Sequence, residues 1–80
     1  ILDYIDLGEE HAIFEVALPQ NWVGKTIGQI DIRKKYGINI MAIRHNGKME
    51  LTVNSDTVFH PGDTLMVLGK NKDLQKCFRI

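Results

Sequence analysis

Three polar residues lie close together in the middle of the 80-residue chain: Asp31, Arg33 and Asn39, within Gly28-Gln29-Ile30-Asp31-Ile32-Arg33-Lys34-Lys35-Tyr36-Gly37-Ile38-Asn39-Ile40. Arg33 offers a planar fork of donors that matches a phosphate. Asp31, as a carboxylate, only accepts hydrogen bonds and so suits an exocyclic amine, whereas Asn39 both donates and accepts. The set is equipped to hold a ligand rather than to break a bond. Each residue also has an ordinary structural use: Asp31 as a helix N-cap, Arg33 on a solvated helix face, Asn39 as a polar residue of an edge strand.

Upstream, Gly24-Lys25-Thr26 has the last three letters of a phosphate-binding P-loop. That loop needs a glycine five positions earlier, so that successive N–H groups can wrap the phosphates. The position holds Pro19, which lacks an N–H and has a fixed φ, so nucleotide hydrolysis through this motif is not expected. His11, His45 and His60 are far apart in the chain, with no i, i+4 spacing and no cysteine partner, and no metal site is expected from them. Nor is there a Ser, His and acid set, a pair of carboxylates in an apolar setting, or a glycine-rich dinucleotide loop. An enzyme is therefore not expected, nor a catalytic cofactor.

Composition limits the remaining classes. A chain of this size forms one small domain that buries only about 60% of its unfolded surface, and such domains gain from a partner. Its 44% hydrophobic and 25% charged residues are those of an ordinary globular domain. No apolar run approaches the roughly 20 residues of a membrane span, and no signal-peptide pattern is present, so a cytoplasmic setting is expected. The chain starts with Ile1 inside a hydrophobic pattern and reads as a piece excised from something longer. The lone Cys77 reads as a half-buried packing residue. A net charge of zero argues against a binder of nucleic-acid polymers. The charges are nevertheless uneven: residues 1–24 carry five acids and no Lys or Arg, whereas 25–48 carry Lys25, Arg33, Lys34, Lys35, Arg44 and Lys48 against Asp31 alone. A local anion site belongs in that middle third.

The elements that would position these residues follow from periodicity. Residues 1–7 read as a strand, Gly8-Glu9-Glu10 as a turn, and Ala12, Phe14, Val16 and Leu18 as one face of a second strand ended by Pro19. Thr26 to Tyr36 favours helix, with Thr26 as N-cap and Gly37 as a left-handed stop. Ile27 and Ile30 share one helical face and Ile32 and Tyr36 another, which predicts a break near Asp31, its carboxylate capping the second turn. Ile38 to Arg44 alternates as a strand, Ile38, Ile40 and Ala42 against Asn39, Met41 and Ile43. Asn46-Gly47 then predicts a hairpin returning through Met49, Leu51 and Val53. Asn54-Ser55-Asp56 and His60-Pro61-Gly62-Asp63 read as turns. Leu65 to Leu68 reads as a central strand covered on both sides, and Lys72 to Phe78 as a closing helix with Leu74 and Phe78 inward. The expected class is α+β, a small, mainly antiparallel sheet with two short helical segments, one of them broken.

The segment G-K-T-I-G-Q-I-D-I-R-K-K-Y-G-I-N-I-M-A-I-R, followed by a short hairpin and then H-P-G-D-T-L-M-V-L-G, resembles the RCK C-terminal domain, also called the TrkA-C domain, from about Glu9 to Phe78. The resemblance implies a dimeric cytosolic regulatory module, following an RCK N-terminal domain in the same chain. It would control potassium transport through a membrane transporter subunit at the inner face of the membrane. The wording is most similar to the branch found in cytosolic gating subunits of Ktr potassium transporters. That branch implies a receptor for cyclic di-AMP, bound between two domains, with inhibition of potassium uptake as the outcome. Carried onto this sequence, Arg33 would meet a phosphate, Asp31 an adenine amino group, and Asn39 with nearby backbone N–H groups the rest of the phosphate and ribose. Ile27, Ile30 and Ile40 would wall the bases, with His60 and Pro61 as further candidates. Two other readings stay open: a ligand-free dimerisation domain of an RCK gating ring, and a small regulatory domain of a metabolic enzyme.

Overall fold

The computed structural model describes residues 1–80. Five strands form one antiparallel sheet in the order β1-β2-β5-β3-β4: β1 (Asp3–Gly8), β2 (His11–Ala17), β3 (Asn39–His45), β4 (Lys48–Glu50) and β5 (Thr64–Lys70). The turn between β1 and β2 has Gly8, Glu9 and Glu10 all at positive φ. A 3-10 turn at Gln20–Trp22 follows β2, and the helices are α1 (Ile27–Ile30), α2 (Ile32–Tyr36) and α3 (Asn71–Phe78).

Period-two alternation decides which face of the sheet the helices cover. Ala12, Phe14 and Val16 of β2 and Leu65 and Val67 of β5 are buried, and Ile30, Ile32 and Leu74 pack on them from the helices. Phe59 is fully buried in the same cluster, and Trp22 lies 5.6 Å from the rings of both Phe59 and Phe78. The other face is half-covered: Thr64, Met66 and Leu68 are intermediate in exposure, so β5 is central but not sealed on both sides as its apolar run predicted. On that face Glu15 Oε2 accepts from Arg44 Nε at 3.1 Å and from Thr64 Oγ1 at 2.9 Å.

Two strand expectations need correction. In β3 the strict alternation fails, because Ile40 pairs with Val67 and Ala42 with Met66, leaving Met41 as an extra, exposed residue. The bulge shifts the pleat by one residue, so that Ile43, opposite Leu65, faces the helix-covered core, while Ala42, opposite Met66, is buried on the other face. The Asn46-Gly47 turn forms with both residues at positive φ, as a two-residue hairpin requires, yet β4 stops at Glu50 and Leu51 is 70% exposed.

The helical segment breaks where its two faces conflict. Thr26 caps α1 with a full capping box: its Oγ1 accepts from Gln29 N at 3.1 Å while Gln29 Oε1 accepts from Thr26 N at 2.8 Å. Asp31 lies between α1 and α2 at φ 56°, ψ 44°, and its carboxylate caps nothing. The left-handed backbone, not a side-chain cap, makes the break, because that single residue rotates α2 until Ile30 and Ile32 both face the core.

Candidate functional site

Residues 24–28 lie against residues 55–59 through a short set of backbone hydrogen bonds. Phe59 N donates to Lys25 O and Gly24 N to Phe59 O, both at 2.9 Å, while Ile27 N donates to Thr57 O at 3.0 Å and Gly28 N to Ser55 O at 2.9 Å. These bonds occupy the first amides of α1, so none of them is free for a phosphate. Gly24-Lys25-Thr26 therefore serves as an entry turn and cap, and the expected help from backbone N–H groups does not come from this helix start. Gly28 is required by the close approach, since a Cβ there would sit 3.0 Å from Ser55 O.

Between the α1–α2 break, the start of β3 and the 53–55 segment lies a cleft of about 310 Å³. Of the residues expected at a ligand site, Ile27, Asp31, Arg33, Asn39 and Ile40 all line it. Asp31 and Arg33 are exposed and Asn39 is half-buried. None of the three side chains takes part in any hydrogen bond or ion pair within the chain. Three polar groups of complementary types thus converge unpartnered, with Ile27 and Ile40 as apolar neighbours.

The other expected site residues lie elsewhere. Ile30 is buried beneath α1 and borders a different cleft, and His60 and Pro61 sit in the turn before β5 rather than in the cleft lining. Sequence reading missed the opposite lip, Val53, Asn54 and Ser55. Their only local signal was that of a turn, and only the long-range bonds to Ile27 and Gly28 bring them to the site.

The second cleft is larger, about 790 Å³, and Lys25, Lys35, Lys76 and Arg79 border it together with Trp22, Tyr36 and Cys77. It contains no carboxylate to read an amino group, so size alone does not make it the better candidate. Burial pushes the Cys77 thiol up from 9.0 to about 11, which leaves it inert as a nucleophile.

One separation expected from the sequence is wrong. His45 and His60 are neighbours in space, ring centroids 5.0 Å apart, because antiparallel pairing of β3 with β5 joins the end of one to the entry of the other.

Comparison with known proteins gives this fold a family. The TrkA-C domain model matches residues 11–80. Ktr system potassium uptake protein C of Bacillus subtilis (strain 168) is 37% identical over 76 residues, covering 95% of this chain and 34% of that protein. Ktr system potassium uptake protein A of the same organism is 33% identical over the same shares. The chain therefore spans about a third of the length of these curated relatives. The RCK C domain of potassium transport protein KtrA, solved in complex with cyclic diadenosine monophosphate (c-di-AMP), matches with a TM-score of 0.83 at 33% identity, covering 91% of this chain and 86% of that one. No helix of the chain is long and apolar enough to cross a membrane. The five-stranded antiparallel sheet, the helix broken at Asp31 and these matches lead to one conclusion: this chain belongs to the TrkA-C, or RCK C-terminal, domain family.

Proposed function

We propose that the chain is a cytosolic regulatory domain of a bacterial potassium uptake system, and that two copies bind one c-di-AMP between them and thereby inhibit transport. The observation that carries this reading is the convergence of Asp31, Arg33 and Asn39, all unpartnered, on a single cleft with Ile27 and Ile40. A phosphate on Arg33, an adenine amino group on Asp31 and apolar contact with Ile27 and Ile40 use each side chain for what it does best. The Ktr relatives and the c-di-AMP complex of the KtrA domain support the choice of ligand and system.

Size supports the two-fold arrangement. Small-molecule pockets span roughly 300–1,000 Å³, and one cleft of about 310 Å³ suits one adenosine half of the ligand better than both. A two-fold symmetric dianion on the axis of a symmetric dimer presents the same groups to both copies. Bridging biases the attached ring only if c-di-AMP binds one arrangement of the pair more tightly than the other. The RCK N-terminal domain preceding this one and the membrane subunit beyond it would carry that bias to the pore. The role is regulatory, with no reaction catalysed and no nucleic-acid polymer bound.

Calorimetric titration with c-di-AMP tests the reading. Saturation at one ligand per two chains supports it; absence of heat moves the chain to a ligand-free dimerisation domain, and one ligand per chain removes the two-fold site.

A further inference from the structure

A second cluster of side chains lies at the far end of the β3–β5 pair. Asp63 is buried, its side chain 1% exposed, and both of its oxygens are committed: Oδ2 accepts from His60 N at 2.9 Å, and Oδ1 lies 2.5 Å from His45 Nδ1. The His60 ring stands beside that of His45, and one ligand atom from each of the three residues falls within 4.8 Å of the others. A plain histidine–aspartate pair accounts for His45 and Asp63 only. It leaves unexplained why His60, whose ring makes no hydrogen bond, is held against the same carboxylate by its own backbone.

We propose that His45, His60 and Asp63 bind a first-row divalent metal of the zinc type. Two imidazoles and one carboxylate favour such an ion over magnesium or calcium, which take oxygen ligands. A tetrahedral ion with bonds of about 2.0–2.2 Å holds its ligand atoms about 3.3–3.6 Å apart, so the wider separations, of up to 4.8 Å, close through modest side-chain movement. His60 supplies most of it, being exposed and free at its ring. At His45 the metal takes the place of the hydrogen between Nδ1 and Asp63 Oδ1, which requires that pair to open from 2.5 Å to about 3.3 Å, and the ring carries its proton on Nε2 instead. Asn46 Nδ2 lies 3.3 Å from that nitrogen, and turning the amide over presents its oxygen as the acceptor for Nε2–H. The His45 side chain is 44% exposed, so the fourth position opens to water. The bound ion would tie the end of β3 to the turn entering β5.

Zinc titrated calorimetrically into the full-length protein, with a His60→Ala variant and a His11→Ala control, tests this assignment. His60→Ala keeps the backbone N–H that holds Asp63, so the fold is retained. The expected result is one zinc per pair of neighbouring histidines, unchanged in His11→Ala and weakened at least about tenfold in His60→Ala. Zinc should also raise the melting temperature of the unaltered protein but not of His60→Ala, because only a ligand of the native state stabilises it. No zinc binding, or equal affinity in His60→Ala, overturns the assignment, as does binding that disappears in His11→Ala.

Discussion

Arg33 carries the most distinctive chemistry of the cleft, because it is exposed, unpartnered and fork-shaped. Replacing it with Ala removes a charge-assisted contact of about 1.5–3 kcal/mol, which corresponds to roughly 10- to 150-fold in affinity for c-di-AMP. Calorimetry should show that loss while the melting temperature stays put, since nothing in the fold leans on the side chain. Arg33→Lys should restore only part, as a point charge cannot reproduce a bidentate grip. Undiminished affinity in Arg33→Ala would remove the phosphate assignment. Cys77 makes the opposite kind of residue, shaped by packing alone. With its pKa at about 11 instead of 9.0, it holds about a hundredfold less thiolate than a free thiol at neutral pH, and iodoacetamide should label the native chain that much more slowly than the unfolded one. The raised value favours the protonated folded state, so its stabilising contribution is fully present below pH 9.0 and is lost as pH rises through about 11. A Cys77→Ser variant should lack that alkaline loss in denaturation curves taken across this range.

At the scale of elements, the break at Asp31 separates α1 from α2 and places Asp31 in the wall of the cleft. A left-handed backbone suits glycine better than a residue with a Cβ, and the Asp31 carboxylate caps neither helix. Relief of about 1–2 kcal/mol of left-handed strain is offset by about 0.5–1 kcal/mol of glycine's extra chain entropy, so Asp31→Gly should leave stability unchanged or raise it by up to about 1 kcal/mol, while c-di-AMP affinity falls, measured by urea unfolding beside calorimetry. A large loss of stability would mean that the carboxylate supports the fold in some other way. Thr26→Ala should behave in reverse, costing about 1 kcal/mol through the lost capping box with little effect on ligand contacts. The break was legible because Ile27 with Ile30 and Ile32 with Tyr36 could not share one helical face. Its cause was not, because Asp is read from sequence as a cap before it is read as a left-handed residue. Local chemistry also exposed the Asn46-Gly47 hairpin, the Thr26 cap and the Gly37 stop. What stayed hidden depends on long-range pairing: the bulge at Met41, the approach of Ser55 to Gly28, and the meeting of His45 with His60. The same division runs through the site. Residues close in sequence, Ile27 with Asp31, Arg33, Asn39 and Ile40, line one cleft, whereas Val53, Asn54 and Ser55 reach it from a segment whose local signal says only turn.

Over the whole molecule, the sheet has two open edges of different character. β4 is three residues long, a short edge that offers little to a stray strand. β1 is longer, and every one of its residues is exposed, with Leu2, Tyr4, Ile5 and Leu7 each at least 50% accessible along it or beside it. It is joined to the core by its ladder with β2 and by the edge-to-face contact of Tyr4 with Phe14 at 5.7 Å. Ladder bonds give about 1 kcal/mol each, and ordering a residue costs about 1–2 kcal/mol. With so little apolar surface sealed, the two terms come close to cancelling. The candidate cleft draws nothing from this strand, since its walls come from the broken helix, β3 and the 53–55 segment. Deleting residues 1–8 should therefore lower the unfolding free energy by no more than about 2 kcal/mol and leave both the affinity for c-di-AMP and the one-to-two stoichiometry as they were. Chemical denaturation and calorimetry on the shortened chain check the two halves of the prediction separately. Binding lost in a chain that still unfolds cooperatively would place β1 in the dimer that makes the site, and the two-fold pairing would then have to run along the sheet edge instead of through the clefts.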